Sequence, residues 1–527
     1  MVFARHTRHL LLNDSDMSKI SRTEIIAVAV LLVAFVILNV KISMRSWPVW
    51  LDEVLLTDPA ANLYLGNGFT SSAWLFQNKN EFWAGNAPLH AIVLYHWMKL
   101  FGFSPVVVRS LNYVLMGLAA LILWLSAYRL DVINSGACRL ALVALLLLGE
   151  GVSINYLSGR YDCLGIFLLA SMLLAFSVGS LWLRCVLLLC ISVFIPIVGI
   201  QLLPYVAVLS LLLLIFLKWT YVKEIISVGI GSTLGVVFLY LMYVTNGVAK
   251  AFFIRSIGSF TFSSAIRDSW IRNTSDTDQK IYYVLAHFHE ILGRRLANFP
   301  NWFGKDRSFL LLLIIGMGLL AYAIRKSHFG WRSLLSFGLI AGVSIPIVFG
   351  ILRGFPAYYS WMSFIPLCIC LCSAIDEMSK NTKPGTTWLL ILIVLIAVGI
   401  PGYPYRLYKT FRDWDNRDYT LVERFIDKNI MKDDRVYSDF GPYYAVKRKA
   451  NEVYLPTYLE VITPQERDCI SVLVRNDSER RVSLEKALSV IGGEWYDTNQ
   501  SLNLTSYNLK IFRRKGVSGN KCISTNS

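Results

Sequence analysis

The sequence predicts a polytopic all-α membrane protein that ends in a small extracytoplasmic α/β domain. Three observations lead there. Hydrophobic residues fill 55% of the 527 positions and charged residues only 16%, against about 25% charged in soluble proteins. Uncharged Leu/Ile/Val runs recur from Ile25 to about residue 403, most of them long enough to cross a hydrocarbon core of about 30 Å. Beyond about Tyr405 the runs stop and short alternating elements begin. This pattern excludes an ordinary soluble enzyme, a disordered chain and a disulfide-rich secreted module. The net charge of +16 then reflects basic cytoplasmic loops rather than a nucleic-acid partner.

The first apolar run, Ile25 to Val40, follows Arg5, Arg8, Lys19 and Arg22 and has no small-residue cleavage site before Trp47. It reads as a retained span rather than a signal peptide. Ten further spans are expected at about 105–128, 138–157, 161–178, 182–198, 200–217, 224–244, 308–324, 333–351, 357–375 and 386–403, eleven in all. Residues 88–101 are short and carry His90, His96 and Lys99, so they are expected to lie on the membrane surface rather than cross it. Charge counting agrees. With 88–101 on the surface, the cytoplasmic stretches hold 14 Lys/Arg in 64 residues, and the first outer loop, 41–104, holds four in 64. The positive-inside rule then puts the N-terminus inside and the C-terminus outside. Loop 41–104, the turn at 158–162, loop 245–307, the turn at 352–356 and the tail share the outer face.

Residues 1–404 are thus expected to form a transmembrane module and 405–527 an extracytoplasmic α/β domain. In the tail, 435–439, 452–456, 469–475 and 507–515 read as strands, with helices at GPYYAVKRK and SLEKALSVIG. Seven of the nine cysteines lie in or at the ends of apolar runs and read as small apolar residues. For Cys469 and Cys522 in the tail a disulfide is left open. His287, His289 and Glu290 make a poor metal site, because histidines two apart diverge on a helix.

Charged groups near a membrane are costly, so carboxylates at span ends are the first functional candidates. Asp52 and Glu53 follow Trp47 and Trp50 just beyond the first span; the bland alternative is an acidic pair capping a helix that starts near Leu51. Asp162 stands beside Arg160 at the second outer turn, where its bland role is a helix cap with Arg160 reaching the headgroups. Together they suit chemistry on a phosphate-bearing lipid, with a carboxylate as base and a guanidinium for the anion. Glu150 and Arg109 are expected to form a buried ion pair, with a proton relay as the alternative role for Glu150.

Read in order, Asp52-Glu53, Asn86-Ala87-Pro88-Leu89-His90, Arg109-Ser110, Arg160-Tyr161-Asp162, and Arg353 before Tyr358-Tyr359 and Pro366 form a pattern that resembles the GT-C superfamily of membrane glycosyltransferases. The resemblance is to the branch containing protein O-mannosyltransferases and the lipid A aminoarabinose transferase. It covers roughly residues 20–375. It implies transfer of a sugar from a polyprenyl-phosphate-linked donor to a glycan, lipid or protein acceptor at the outer face of the plasma (inner) membrane. Asp52 would be the base toward the acceptor hydroxyl, with Asp162 and Glu53 as the other catalytic acids. Arg160, Arg353, His90 and Arg109 would bind substrate. Where the family commonly has Lys-Pro-Pro this chain has Asn86-Ala87-Pro88, so Arg160 or Arg353 would neutralise the donor phosphate. The resemblance fixes no cofactor and leaves a divalent metal ion between Asp52 and Asp162 open. A single displacement with inversion is expected. The competing expectation, a transporter or flippase of lipid-linked sugars, would place ionisable residues near the midplane, whereas here they collect at the outer edge.

Overall fold

The computed structural model describes residues 20–74, 77–217, 219–252, 293, 297, 299–325, 333–352, 354–380, 384–459, 461–479 and 483–516. Its helices in the first four hundred residues are α1 (Arg22–Ser46), α2 (Leu51–Tyr64), α3 (Leu89–Phe101), α4 (Pro105–Arg129), α5 (Gly136–Leu148), α6 (Glu150–Tyr156), α7 (Asp162–Ala175), α8 (Leu181–Val198), α9 (Leu202–Leu217), α10 (Val222–Thr245), α11 (Phe299–Gly304), α12 (Arg307–Arg325), α13 (Leu334–Leu352), α14 (Trp361–Ser379) and α15 (Pro384–Gly399). A further helix, α16 (Tyr403–Arg412), leads into the tail.

Every expected span coincides with a helix, but not every helix is long enough to be one. Seven described helices are long and apolar enough to cross a membrane, and nine if the bent pairs α5–α6 and α15–α16 each count as one span. The other two, α7 with 14 residues and α9 with 16, rise about 21 and 24 Å at 1.5 Å per residue, short of about 30 Å. Among the described residues, seven to nine helices are thus candidate crossings, and the count of eleven is not confirmed. Lipid-facing surface is plain on α10, where Ile226, Ile230, Leu234, Phe238 and Leu241 are exposed. The chain is an integral membrane protein.

The two bends meet. The chain turns by 61° at Gly149 and by 50° between α15 and α16, and a Cβ on Gly402 would lie 1.9 Å from the Leu148 carbonyl oxygen. Only glycine allows that approach. Breaking a helix frees N–H groups that membrane interior cannot hydrate. Here Glu150 N donates to Ser308 Oγ and Gly151 N to Asp306 Oδ2.

Helix α3 does not cross. Its first turn carries His90, which lies within the field of Arg160, and Trp97 in its last turns donates from Nε1 to Ser110 Oγ in the first turns of α4. Arg109, beside Ser110, bonds Glu53 of α2. Both ends thus stay on one face.

On that face sits the tail. After α17 (Tyr419–Asn429) come β1 (Arg435–Ser438), α18 (Tyr443–Lys449), β2 (Glu452–Tyr454), α19 (Pro464–Cys469), β3 (Val472–Asn476), α20 (Leu484–Ile491), β4 (Trp495–Asn503) and β5 (Asn508–Arg514). The sheet order is β2-β1-β3-β5-β4, parallel across β2-β1-β3 and antiparallel beyond. Side chains alternate between two cores. Val436, Val453, Val472 and Val474 join the main core shared with the membrane helices, while Tyr437, Tyr454 and Leu473 face a second core with Ala487 and Ile491. The edge strand β2 is covered by the segment between α2 and α3, since Ser72 Oγ donates to the Val453 carbonyl and Lys79 Nζ to Glu452 Oε2. That cover removes an aggregation-prone edge. Cys469 is disulfide-bonded, and Cys522 lies outside the described residues. The other seven described cysteines are free.

Candidate active site

Three elements distant in sequence converge on Arg160. Its Nη1 donates to Asp52 Oδ2 at 2.7 Å, across 108 positions, and its Nε donates to Asp162 Oδ2 at 3.0 Å and to Asn155 Oδ1 at 3.3 Å. The guanidinium lies 3.7 Å from the centre of the Tyr358 ring, with Trp50 and Tyr161 farther out. Arg160 is 2% exposed and Asp162 1%, whereas the Asp52 side chain keeps 23% of its surface open. Charge pairing and aromatic stacking together offset the cost of burying an arginine.

Local sequence explains the placement. Helix α2 starts at Leu51, but its N-cap is Trp50, and no side chain makes the capping bond. Asp52 in the first turn is turned to Arg160 instead. Asp162 likewise starts α7 without capping it, and its Oδ1 accepts from Trp361 Nε1 at 3.1 Å. Tyr205 stacks edge-on against that indole. Neither carboxylate is a helix cap, and Arg160 does not reach out to headgroups. The turn that carries Arg160 approaches α2 closely: a Cβ on Gly159 would meet Thr57 Cγ2 and Val108 Cγ1 at 2.6 Å.

Glu53 and Arg109 are brought together with each other. Arg109 donates from Nε and Nη2 to the two Glu53 oxygens at 2.8 Å, and from Nη1 to the Ser43 carbonyl at 2.9 Å. Glu53 is fully buried and Arg109 nearly so. The expected Glu150–Arg109 pair is therefore not formed. The break at Gly149 turns Glu150 toward α12 and α16, where its Oε2 accepts from Arg307 N at 2.8 Å and its Oε1 lies 3.9 Å from Arg406 Nη2.

His90 is buried, and its Nε2 has no partner among the described residues. Burial, and then the charge of Arg160, depress its pKa to about 3. It is neutral at any physiological pH. Arg353, His287, His289 and Glu290 lie outside the described residues. Among the described residues, no three His, Cys, Asp or Glu side chains come together as a metal group. Sequence reasoning passed over Asn155 and Trp361, although each stands within five residues of a motif position, Arg160 and Tyr359 respectively.

No protein-family model matches the chain, and no curated protein sequence does. Solved structures do. The oligosaccharyltransferase of Archaeoglobus fulgidus in complex with Zn and sulfate matches at TM-score 0.50 and 11% identity, covering 92% of this chain and 73% of that one. ArnT from Cupriavidus metallidurans bound to undecaprenyl phosphate matches at TM-score 0.47 and 12% identity, covering 93% and 98%. AglB from Archaeoglobus fulgidus with an inhibitory peptide and a dolichol-phosphate matches at 0.44 and 9%, covering 85% and 69%. At TM-score 0.50 the Archaeoglobus fulgidus oligosaccharyltransferase shares the overall fold of this chain, in line with the fold that the motif order led us to expect.

Proposed function

We propose that this protein transfers a sugar from a polyprenyl-phosphate-linked donor to an acceptor hydroxyl at the extracytoplasmic face of the membrane, with inversion. The observation that carries the reading is the Asp52–Arg160–Asp162 chain, built from the end of the first outer loop's helix and the second outer turn. The two acids divide the work by exposure. Asp162 has both oxygens engaged and is buried, so it anchors Arg160. Asp52 is partly open, and its Oδ1 has no partner among the described residues, so it is the carboxylate a substrate reaches. It takes the acceptor proton as the acceptor oxygen attacks the anomeric carbon and the bond to phosphate breaks.

The leaving phosphate needs a cation. Arg160 already answers two carboxylates, which leaves the trio with one net negative charge. Arg353, five residues before Tyr358 in sequence, is the better partner for the donor phosphate. The buried Glu53–Arg109 pair holds α2 against α4 and has a positioning role. The Cys469 disulfide supports an extracytoplasmic tail, since disulfides persist in oxidising compartments.

The experiment compares cells with and without the protein. Loss of one surface-glycan sugar, with accumulation of the matching polyprenyl-phosphate sugar, is expected. Unchanged glycans and unchanged lipid-linked sugars would count against the reading.

A further inference from the structure

A divalent ion between Asp52 and Asp162 can be tested against the geometry. We infer that Arg160 is itself the resident cation of this site, and that the Asp52–Asp162 pair takes no divalent metal while the arginine is in place. Hard divalent cations need several oxygens about 2.0–2.6 Å from one point. Here the space between the two carboxylates is filled by a guanidinium, with Nη1 at 2.7 Å from Asp52 and Nε at 3.0 Å from Asp162.

The arginine is not free to step aside. Its face rests on Tyr358, its Nε is shared with Asn155, and it is 2% exposed. Withdrawing it would leave Asp162, itself 1% exposed, as an unpaired buried charge, which strongly disfavours the opened arrangement. Of the further donors, Asn155 Oδ1 already accepts from Arg160 Nε, and a second cation at the unpartnered Nε2 of His90 would sit in the field of Arg160. An arginine also keeps its charge at any working pH and brings a fixed fork of donors. It orients both acids with no exchangeable ligand. The residues present therefore do not fit a metal.

This deepens the transferase reading, but its decisive measurement does not depend on activity. The full-length protein in nanodiscs, stripped with EDTA, is titrated with MnCl₂ and free Mn²⁺ is followed by electron paramagnetic resonance. Wild type and Asp162→Asn are expected to give the same curve. Arg160→Ala, which frees the carboxylates, is expected to gain about one bound Mn²⁺ that Arg160→Ala/Asp162→Asn loses, and Arg160→Lys to behave as wild type. A wild-type site that Asp162→Asn abolishes would overturn the inference, as would an Arg160→Ala variant that gains nothing. Should Arg160→Ala fail to fold, the comparison of wild type with Asp162→Asn decides alone. In the kinetic arm, EDTA is expected to change sugar transfer less than twofold; a tenfold loss restored by Mg²⁺ or Mn²⁺ would contradict the inference. A wild type that transfers from no donor removes the transferase reading while the Mn²⁺ titration still decides this one.

Discussion

The Tyr444 hydroxyl donates to Glu53 Oε1 at 3.2 Å, so the C-terminal α/β region holds the helix on which Asp52 stands. One turn on, Asp58 of the same helix accepts from the Tyr443 hydroxyl at 2.7 Å and pairs with Lys447 Nζ at 3.1 Å. Helix α2 is thereby gripped by α18 on one side and packed against the Gly159 turn on another. The position of Asp52 relative to Arg160 depends on a domain nearly 400 residues away in sequence.

Glu53→Gln should destabilise the protein by about 3–5 kcal/mol, because it leaves the buried Arg109 guanidinium without its counter-charge. Thermal melting of the detergent-solubilised protein checks this. The double change Glu53→Gln/Arg109→Met should recover much of the loss. Equal melting of wild type and Glu53→Gln would show that the pair does not hold α2.

Gly402→Ala should cost about 2–3 kcal/mol or block folding, since both of its nearest clashes, Leu148 O at 1.9 Å and Glu150 N at 2.9 Å, are backbone atoms that cannot rotate away. Gly399→Ala is the control. Its Cβ would meet only the Leu148 side chain at 3.3 Å. Size-exclusion profiles and melting points of the two variants should differ clearly.

Stability of the tail should fall as pH rises toward neutrality. Burial, and then the charge of Asp439, raise Glu479 from 4.5 to about 7, and burial raises Asp439 to about 6. A carboxyl with a raised folded-state pKa contributes stability that is complete below its unfolded value and lost as pH climbs through the folded one. The window therefore opens at the unfolded values, 3.8 for Asp439 and 4.5 for Glu479, and closes at about 7. Melting curves taken across pH 5–8 should slope downward in wild type and less steeply in Glu479→Gln. Parallel slopes would contradict this assignment.

The sequence made the membrane class, the surface-lying helix 88–101 and six elements of the tail legible, because each rests on a strong pattern of apolar run or alternation. The strand β4 was not legible. Its residues WYDTNQSLN are polar and mostly exposed on an edge, so no alternation marks them. Helices α16 and α17 were missed where the apolar runs gave way to mixed composition. The Glu150 pairing failed because a single span over 138–157 implies an unbroken helix, and Gly149 breaks it. The convergence of Asp52, Arg160 and Asp162 followed from counting crossings. That they share one face needed only parity, whereas Trp361 and Asn155 required packing that no spacing encodes.

The central claim is that Asp52 is the base of an outer-face transferase, and sugar transfer by the purified Asp52→Asn variant tests it most directly. Donors are polyprenyl-phosphate glucose, mannose, galactose and arabinose, with the acceptor fraction extracted from cells lacking the protein. Asparagine keeps the shape of the side chain and removes its charge, so transfer should fall by about 10²–10⁴-fold while melting stays near that of wild type. Transfer at the wild-type rate would contradict the account and reduce Asp52 to a partner of Arg160.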